Sequence, residues 1–436
     1  MSSSYLPLAM FGVLFLLLLT GLPIAFTLFF VSIVFAWTLW GIGGLSILTT
    51  SIWGTMNSFT LIAVVLFVYM ALILQKTRVV EDIYDTCYKW SGGLRGGLAI
   101  ATIVVGAILG AVSGVVAAGV IGLGLIGLPQ MLKYGYDKKI SLGSVMAGGT
   151  LGQLIPPSAT MVVYGAVTGV SIGGMFAGGI TCGLFLSFMY ILYILGRALI
   201  NKNLCPALPK DARPTWGEKF ASLRGIVPPA VLIVLVLGSI LSGAATPTEA
   251  AGVGVAGAWG IGLVKRRLTW KMVTDSAWET LEITAMVGWI VAAASAFSSV
   301  FSGVGGNQLV MEMASSLPGG RWGVLAAAIL FVFLLGMFLE PTAMIMLAAP
   351  ILSPLLSRMG FDPLWWAMVF MLLLQSAYIS PPFGFSLFYL KGVTPPDIAI
   401  EEIFLSSVPF ILIQMATILL VILFPAIAVW LPKLVI

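Results

Sequence analysis

Histidine is absent from all 436 residues, which removes imidazole proton relays, imidazole metal sites and every Ser-His or Cys-His nucleophile at once. Charge is nearly as scarce: 8% of the residues are Asp, Glu, Lys or Arg, against 60% that are hydrophobic. No water-soluble core needs that much apolar surface, so the composition points to a bilayer. Cysteine occurs three times, as Cys87, Cys182 and Cys205, without metal-ligand or redox spacing, and an odd count argues against a disulfide framework. All three read as structural. No G-x-x-x-x-G-K-[ST] run is present, so the chain binds no ATP through a P-loop. Any transport must then draw on an ion gradient or on another subunit. With no paired carboxylates or Ser-Lys couple at membrane depth, an enzyme is not expected.

What the chain has instead is apolar length. Leu6 to Leu19, Val231 to Ile240, Val324 to Leu339 and Phe410 to Trp430 approach or exceed the run of about 20 residues that crosses a bilayer core. Helices are the expected spanning element. The first run has no Lys or Arg before it and no small-residue cleavage site after it, so it reads as a retained helix, with the mature chain expected to begin near Met1.

The two halves carry the same landmarks in the same order. The first half reads Gly110-Ala111-Val112-Ser113-Gly114, then Lys133-Tyr134-Gly135-Tyr136-Asp137, then Ile155-Pro156-Pro157-Ser158. The second reads Gly336-Met337-Phe338-Leu339-Glu340-Pro341, then Arg358-Met359-Gly360-Phe361-Asp362, then Ser380-Pro381-Pro382. Gly135 to Gly360 and Pro156 to Pro381 are both displaced by 225 positions, the signature of an internal repeat.

Residues 97 to 130 and 322 to 356 are apolar stretches broken near their middles, at Ser113-Gly114 and at Glu340-Pro341. A single helix of about 34 residues would run about 51 Å, too long for the hydrocarbon layer, so each reads as a re-entrant hairpin. Between the hairpins lie five apolar segments: 140 to 170, 173 to 199, 224 to 242, 248 to 264 and 276 to 302. Five is odd, so the hairpins enter from opposite faces. With 76 to 95 in the cytoplasm, that face holds 18 of the 21 Lys and Arg residues, leaving Arg321, Arg358 and Lys433 outside. The positive-inside rule supports this topology and puts both termini outside. The first 60 residues are less defined: 6 to 40 reads as two short passes, and 41 to 60 as a segment along the interface.

Inverted repeats with interrupted helices are an architecture of secondary transporters, with solute and ions near the membrane midplane. Pro156-Pro157 and Pro381-Pro382 cannot continue a helix without losing backbone hydrogen bonds. Carbonyls at Gly152 to Ile155 and Ala377 to Ser380 suit a hard cation such as Na⁺, and the amide ends that follow favour an anion. Ser158 and Ser380 add hydroxyls. Glu340 is the one acidic residue between Trp322 and Ser357, which makes it an ion-site candidate; as the bland alternative it caps a helix at the hairpin tip. Glu249 reads as the cap of a helix starting at Pro247. Asp275, Glu279 and Glu282 share a helical face and read as a solvated entry turn, and Trp365 and Trp366 as interfacial anchors or packing near the outer face.

Gly148-Gly149-Thr150-Leu151-Gly152-Gln153-Leu154-Ile155-Pro156-Pro157-Ser158, with Tyr164-Gly165 and Thr168-Gly169-Val170-Ser171-Ile172-Gly173 after it, resembles the large membrane subunit of TRAP transporters, the tripartite ATP-independent periplasmic transporters. Phe338-Leu339-Glu340-Pro341-Thr342-Ala343, Ser380-Pro381-Pro382-Phe383-Gly384, Thr246-Pro247-Thr248-Glu249-Ala250-Ala251, Asn57-Ser58-Phe59 and Gly21-Leu22-Pro23 are similar to other landmarks of that family. The chain departs from it at Val115, where a serine is common, and at Glu340, where aspartate is usual.

The resemblance implies an all-α polytopic membrane protein with two inverted repeats, each holding a re-entrant hairpin and a Pro-Pro-broken helix, working as an elevator-type transporter. Scaffold helices would occupy 1–95 and 224–303. Transport repeat 1 would span 96–199 (hairpin 97–130, broken helix 140–170) and transport repeat 2 would span 319–393 (hairpin 322–356, broken helix 364–391). A cytoplasmic loop at 200–223 and a C-terminal helix at 394–436 complete the layout. Na⁺ would be the coupling ion, near Ser113, Gly114, Gly152, Ile155, Glu340, Thr342 and Ser380. The solute, a small carboxylate or sulfonate, would meet Ser113, Gly114, Gln153, Pro157, Ser158, Thr342 and Pro382 between the two tips. No covalent cofactor and no nucleic acid are implied. The implied partners are a small four-helix membrane subunit and a periplasmic solute-binding protein in the bacterial inner membrane. A free-standing Na⁺-coupled anion symporter without a binding protein would share the same physics.

Overall fold

The computed structural model describes residues 5–209 and 213–435, and among them the chain is helical without a strand. The helices are α1 (Tyr5–Leu18), α2 (Ile24–Met56), α3 (Ile62–Lys76), α4 (Val79–Ser91), α5 (Gly97–Ser113), α6 (Val116–Lys133), α7 (Lys138–Thr150), α8 (Ala159–Thr168), α9 (Ile172–Ile200) and α10 (Trp216–Leu241). They continue as α11 (Pro247–Val264), α12 (Trp270–Gly303), α13 (Gly306–Ser316), α14 (Gly320–Gly336), α15 (Pro341–Arg358), α16 (Pro363–Ile379), α17 (Phe385–Lys391), α18 (Ile400–Leu423) and α19 (Ala426–Val435). Eight of the described helices are long and apolar enough to cross a membrane. This is a multi-pass membrane protein.

Local chemistry sets the helix ends. Asp137 caps α7 by accepting from Ile140 N, and Asp362 caps α16 by accepting from Leu364 N and Trp365 N. Thr215 with Glu218, and Thr246 with Glu249, form capping boxes at the starts of α10 and α11, so Glu249 is the cap that its place after Pro247 suggests. Pro228 and Pro229 lie inside α10, which continues through them. Pro156-Pro157 and Pro381-Pro382, each joined by a cis peptide, instead separate α7 from α8 and α16 from α17.

The two halves are laid out alike and packed into each other. α5 to α9 begin at 97, 116, 138, 159 and 172, and α14 to α18 begin at 320, 341, 363, 385 and 400, displacements of 223 to 228. α8 packs on α15 while α17 packs on α6, and α9 packs on α16 while α18 packs on α7. Each broken helix thereby completes the opposite half's hairpin. Tyr164 of α8 shares a buried 2.6 Å hydrogen bond with Ser353 of α15. The remaining long helices pack as a second body: α2 along α12, α3 against α11 and α12, and α10 against α4 and α11. At one end of it Asp82 pairs with Lys265 (2.5 Å) and Arg267 (3.1 Å), and Lys76 pairs with Glu279 (2.7 Å).

Several expectations are corrected. Residues 41 to 56 do not lie apart along an interface. They extend α2 beyond a kink at Gly41 (φ 61°, ψ −146°) and pack on α12, where Ser51 and Thr55 bond the Ser295 hydroxyl at 2.8 and 2.7 Å. The C-terminal helix is two helices, because Pro425 has no amide to donate, and α19 packs on α9. α10 already begins inside the expected 200–223 loop, and α13 fills the connection after 303. Glu279 is ion-paired, not simply solvated. Trp365 and Trp366 are buried, at 3% and 1% exposure, and Trp365 donates to Val421 O of α18 at 3.0 Å; they are core packing and not interfacial anchors.

Candidate functional site

α5 and α6 meet at a tip whose turn residue, Gly114, has φ +57°, a backbone region that glycine enters without strain. A Cβ on Gly114 would lie 2.7 Å from Pro157 O, and one on Gly110 would lie 2.6 Å from Gly152 Cα. Those two glycines are what let the first tip sit directly on the first proline break. The Ser113 side chain lies outside the described part of the molecule. Ser158 is buried, donates to Gln153 O at 2.6 Å and shares a 2.8 Å bond with Thr160. The Gln153 side chain is 1% exposed and both of its polar atoms lack a partner. Gly152 and Ile155 are buried in the same turn, where Ile155 N donates to Leu151 O at 2.9 Å. Neither Val115 at the start of α6 nor Ser158 at the start of α8 caps its helix with its side chain, so among the described residues the first-turn amides of both helices have no side-chain cap.

The second half repeats the seating with different chemistry. A Cβ on Gly336 would lie 2.5 Å from Ala377 Cβ, and the Phe338 and Phe383 rings meet with centroids 6.0 Å apart, joining the second tip to the second break. Glu340 caps α15: its carboxylate accepts from Thr342 N (3.0 Å), Ala343 N (3.3 Å) and Thr342 Oγ1 (2.9 Å). The bland reading of Glu340 is therefore realised in this structure, and Thr342 is drawn onto the same carboxylate. Tyr378 and Tyr389 lie within electrostatic reach of it. Ser380 donates to Ser376 O at 2.7 Å and its carbonyl accepts from Gly384 N at 3.0 Å, while Pro382 is exposed.

Three of the carbonyls expected to face a cation are already engaged within the chain: those of Gln153 and Ser380, and that of Tyr378, which accepts from Ser386 Oγ. Among the described residues no three acidic, cysteine or histidine side chains converge. A cation at either break would be held by backbone carbonyls and hydroxyls, the oxygen set that hard cations take.

A polar feature was missed in the sequence. A cavity of about 620 Å³ lies where α2 and α12 face α8 and α15, and none of the ion-site or solute-site candidates named from the sequence lines it. Its lining includes Ser51, Thr55, Ser295, Ser298, Ser299 and Ser302. The signal was present in Ser295-Ala296-Phe297-Ser298-Ser299-Val300-Phe301-Ser302, whose serines at i, i+3, i+4 and i+7 put one hydroxyl stripe on an apolar helix.

Residues 11–427 match the family model described as tripartite ATP-independent periplasmic transporter, DctM component. The chain belongs to this family. The DctM-family chain is 30% identical over 417 residues to the ectoine TRAP transporter large permease protein TeaC of Halomonas elongata, covering 95% of this chain and 96% of that one. It is 31% identical over 389 residues to the C4-dicarboxylate TRAP transporter large permease protein DctM of Pseudomonas aeruginosa, covering 88% and 89%. It is 28% identical over 419 residues to the sialic acid TRAP transporter large permease protein SiaM of Vibrio cholerae, covering 96% of each. Its fold is shared with the YdaH transporter of Alcanivorax borkumensis, at TM-score 0.60 and 14% identity over 91% of this chain and 90% of that one. MtrF of Neisseria gonorrhoeae has the same fold, at TM-score 0.59 and 13% identity over 88% and 85%. The family membership makes this chain a permease subunit for secondary solute uptake, and not an enzyme.

Proposed function

We propose that this DctM-family chain carries a small carboxylate-bearing solute across the bacterial inner membrane, driven by Na⁺, as one part of a three-component system. The observation that carries the reading is the seating of each hairpin tip on its own proline break. At the first break the irregular backbone is buried in protein, which is where membrane transporters bind their cargo, while at the second Ser380 and Gly384 are buried and Pro382 and Phe383 open outward. The uncapped amides at the start of α6 and α8 favour an anionic group beside Gly114, Pro157 and Ser158. Carbonyls of Gly152 and Ile155 at the first break, and Glu340, Thr342 and Ser380 in the second half, supply oxygens suited to Na⁺.

The interlocked halves form one packed unit beside the α2, α3, α10, α11 and α12 body, a division that supports rigid-body sliding of the first against the second. Ectoine, C4-dicarboxylates and sialic acids, the solutes in the names of the relatives, all bear a carboxylate. The names also place those relatives in tripartite systems, so the partners are a small membrane subunit and a periplasmic binding protein. Both termini lie on the periplasmic side, given the 18 of 21 basic residues on the other face.

Uptake of labelled ectoine, C4-dicarboxylates, sialic acid and sulfonates into proteoliposomes holding this chain and its small subunit tests the reading. Uptake that needs both a Na⁺ gradient and the binding protein supports it. Uptake indifferent to the binding protein overturns the tripartite part, and uptake indifferent to Na⁺ overturns the coupling.

A further inference from the structure

The cavity between α2, α12, α8 and α15 has two unlike walls. Every hydroxyl that lines it comes from the body of α2 and α12 or the turn after α2, whereas α8 and α15 contribute Ala166, Val167, Met346 and Pro350. No charged side chain lines it. The hydroxyl wall is partly self-satisfied: Ser51 bonds Ser295 at 2.8 Å, Ser299 donates to Ser51 at 2.6 Å, and Thr55 bonds Ser295 at 2.7 Å. Ser298 and Ser58 also line the cavity, and among the described residues neither hydroxyl has a hydrogen-bond partner. Its size falls within the roughly 300–1,000 Å³ of small-molecule pockets. It abuts the second tip, since Met346 is one helical turn beyond Thr342 on α15. It also lies toward the end of α12 opposite the Lys76–Glu279 ion pair, away from the basic face.

We infer that this cavity is a solute station separate from the tips, where the hydroxyls of the α2 and α12 wall hold a carboxylate-bearing solute on its way to or from them. The inference rests on the permease reading above. A charge-free wall of hydroxyl donors suits that passage. A hydroxyl that donates to the carboxylate supplies one charge-assisted hydrogen bond and no counter-charge, so the solute is oriented without being trapped as it would be by an ion pair. The apolar α8 and α15 wall offers the carboxylate no partner, so it can move past a solute held on the other side.

Ser298 is the residue to test, because its hydroxyl is uncommitted. The complete transporter, with its small subunit and binding protein, is reconstituted and assayed with labelled ectoine, succinate and sialic acid. Ser298→Ala is expected to raise KM about ten- to a hundredfold for the transported solute, the loss of one hydrogen bond to a carboxylate, with maximal rate unchanged. Ser298→Trp, which fills the cavity, is expected to cut the maximal rate at least tenfold while assembly with the small subunit persists. Ser298→Cys, on a Cys87→Ser background, is expected to react with a membrane-impermeant thiol reagent. An unchanged KM in Ser298→Ala, normal uptake by Ser298→Trp, or an inert Ser298→Cys overturns the station. A wild-type complex that moves none of the three solutes overturns the substrate reading instead, and the thiol reaction still judges the cavity.

Discussion

Replacing Glu340 by Gln separates its two possible duties, capping α15 and balancing a cation. The carboxylate accepts three hydrogen bonds, from Thr342 N, Ala343 N and Thr342 Oγ1, at 2.9 to 3.3 Å. A glutamine oxygen still reaches both amides, and the Thr342 hydroxyl can turn to accept from the new amide nitrogen. Only the charge reinforcement of the cap is lost, which costs about 1–2 kcal/mol. A Na⁺ held about 4 Å from the carboxylate would lose about 4 kcal/mol at an effective dielectric of about 20, close to a thousandfold in affinity. The second effect exceeds the first, so Na⁺ dependence should collapse while the fold survives. The assay pairs the Na⁺ activation curve of uptake with thermal unfolding in Na⁺ and in K⁺; a saturating ligand at about 100 Kd stabilises by about 2.7 kcal/mol, so its loss is readable as a missing Na⁺ shift. Glu340→Asp should keep both cap and charge. A half-activating Na⁺ concentration in Glu340→Gln within about twofold of wild type, far short of a thousandfold change, would refute a cation beside this carboxylate.

Gly110→Ala puts a methyl 2.6 Å from Gly152 Cα, backbone that cannot yield cheaply, and should destabilise by about 1–3 kcal/mol and abolish uptake; a wild-type Tm with normal uptake would contradict the tight seating of the first tip. Tyr164→Phe removes the buried 2.6 Å bond to Ser353 and should cost about 1 kcal/mol by chemical denaturation in detergent, with Ser353→Ala adding little on top of it. In sealed cells, Lys138→Cys should be modified only from the cytoplasm and Arg358→Cys only from the periplasm; labelling of both from one side would overturn the topology.

The hairpins and breaks were legible because they are written as local conflicts: Glu340-Pro341, Ser113-Gly114 and two diprolines each interrupt an apolar run. Even so, the dipeptide alone does not decide. Pro228-Pro229 sits within α10 without ending it, whereas Pro156-Pro157 lies in the break between α7 and α8. Tertiary partners were not legible. Nothing near Ser51 announces that Ser295, more than two hundred residues away, will meet it, and Trp365 looks like an interfacial anchor until α18 arrives with Val421 O. The serine stripe on α12 was readable as a pattern; its significance depended on the cavity, which no single helix contains.

The reciprocal packing of α17 on α6 has a consequence for how the chain is made. α6 ends at Lys133 and α17 begins at Phe385, so 251 residues are synthesised between a surface and the helix that covers it. At about 5–20 residues per second that interval lasts roughly ten to fifty seconds. Over that time the first hairpin must be sheltered by lipid, by the insertion machinery or by transient neighbours, because its own cover does not yet exist.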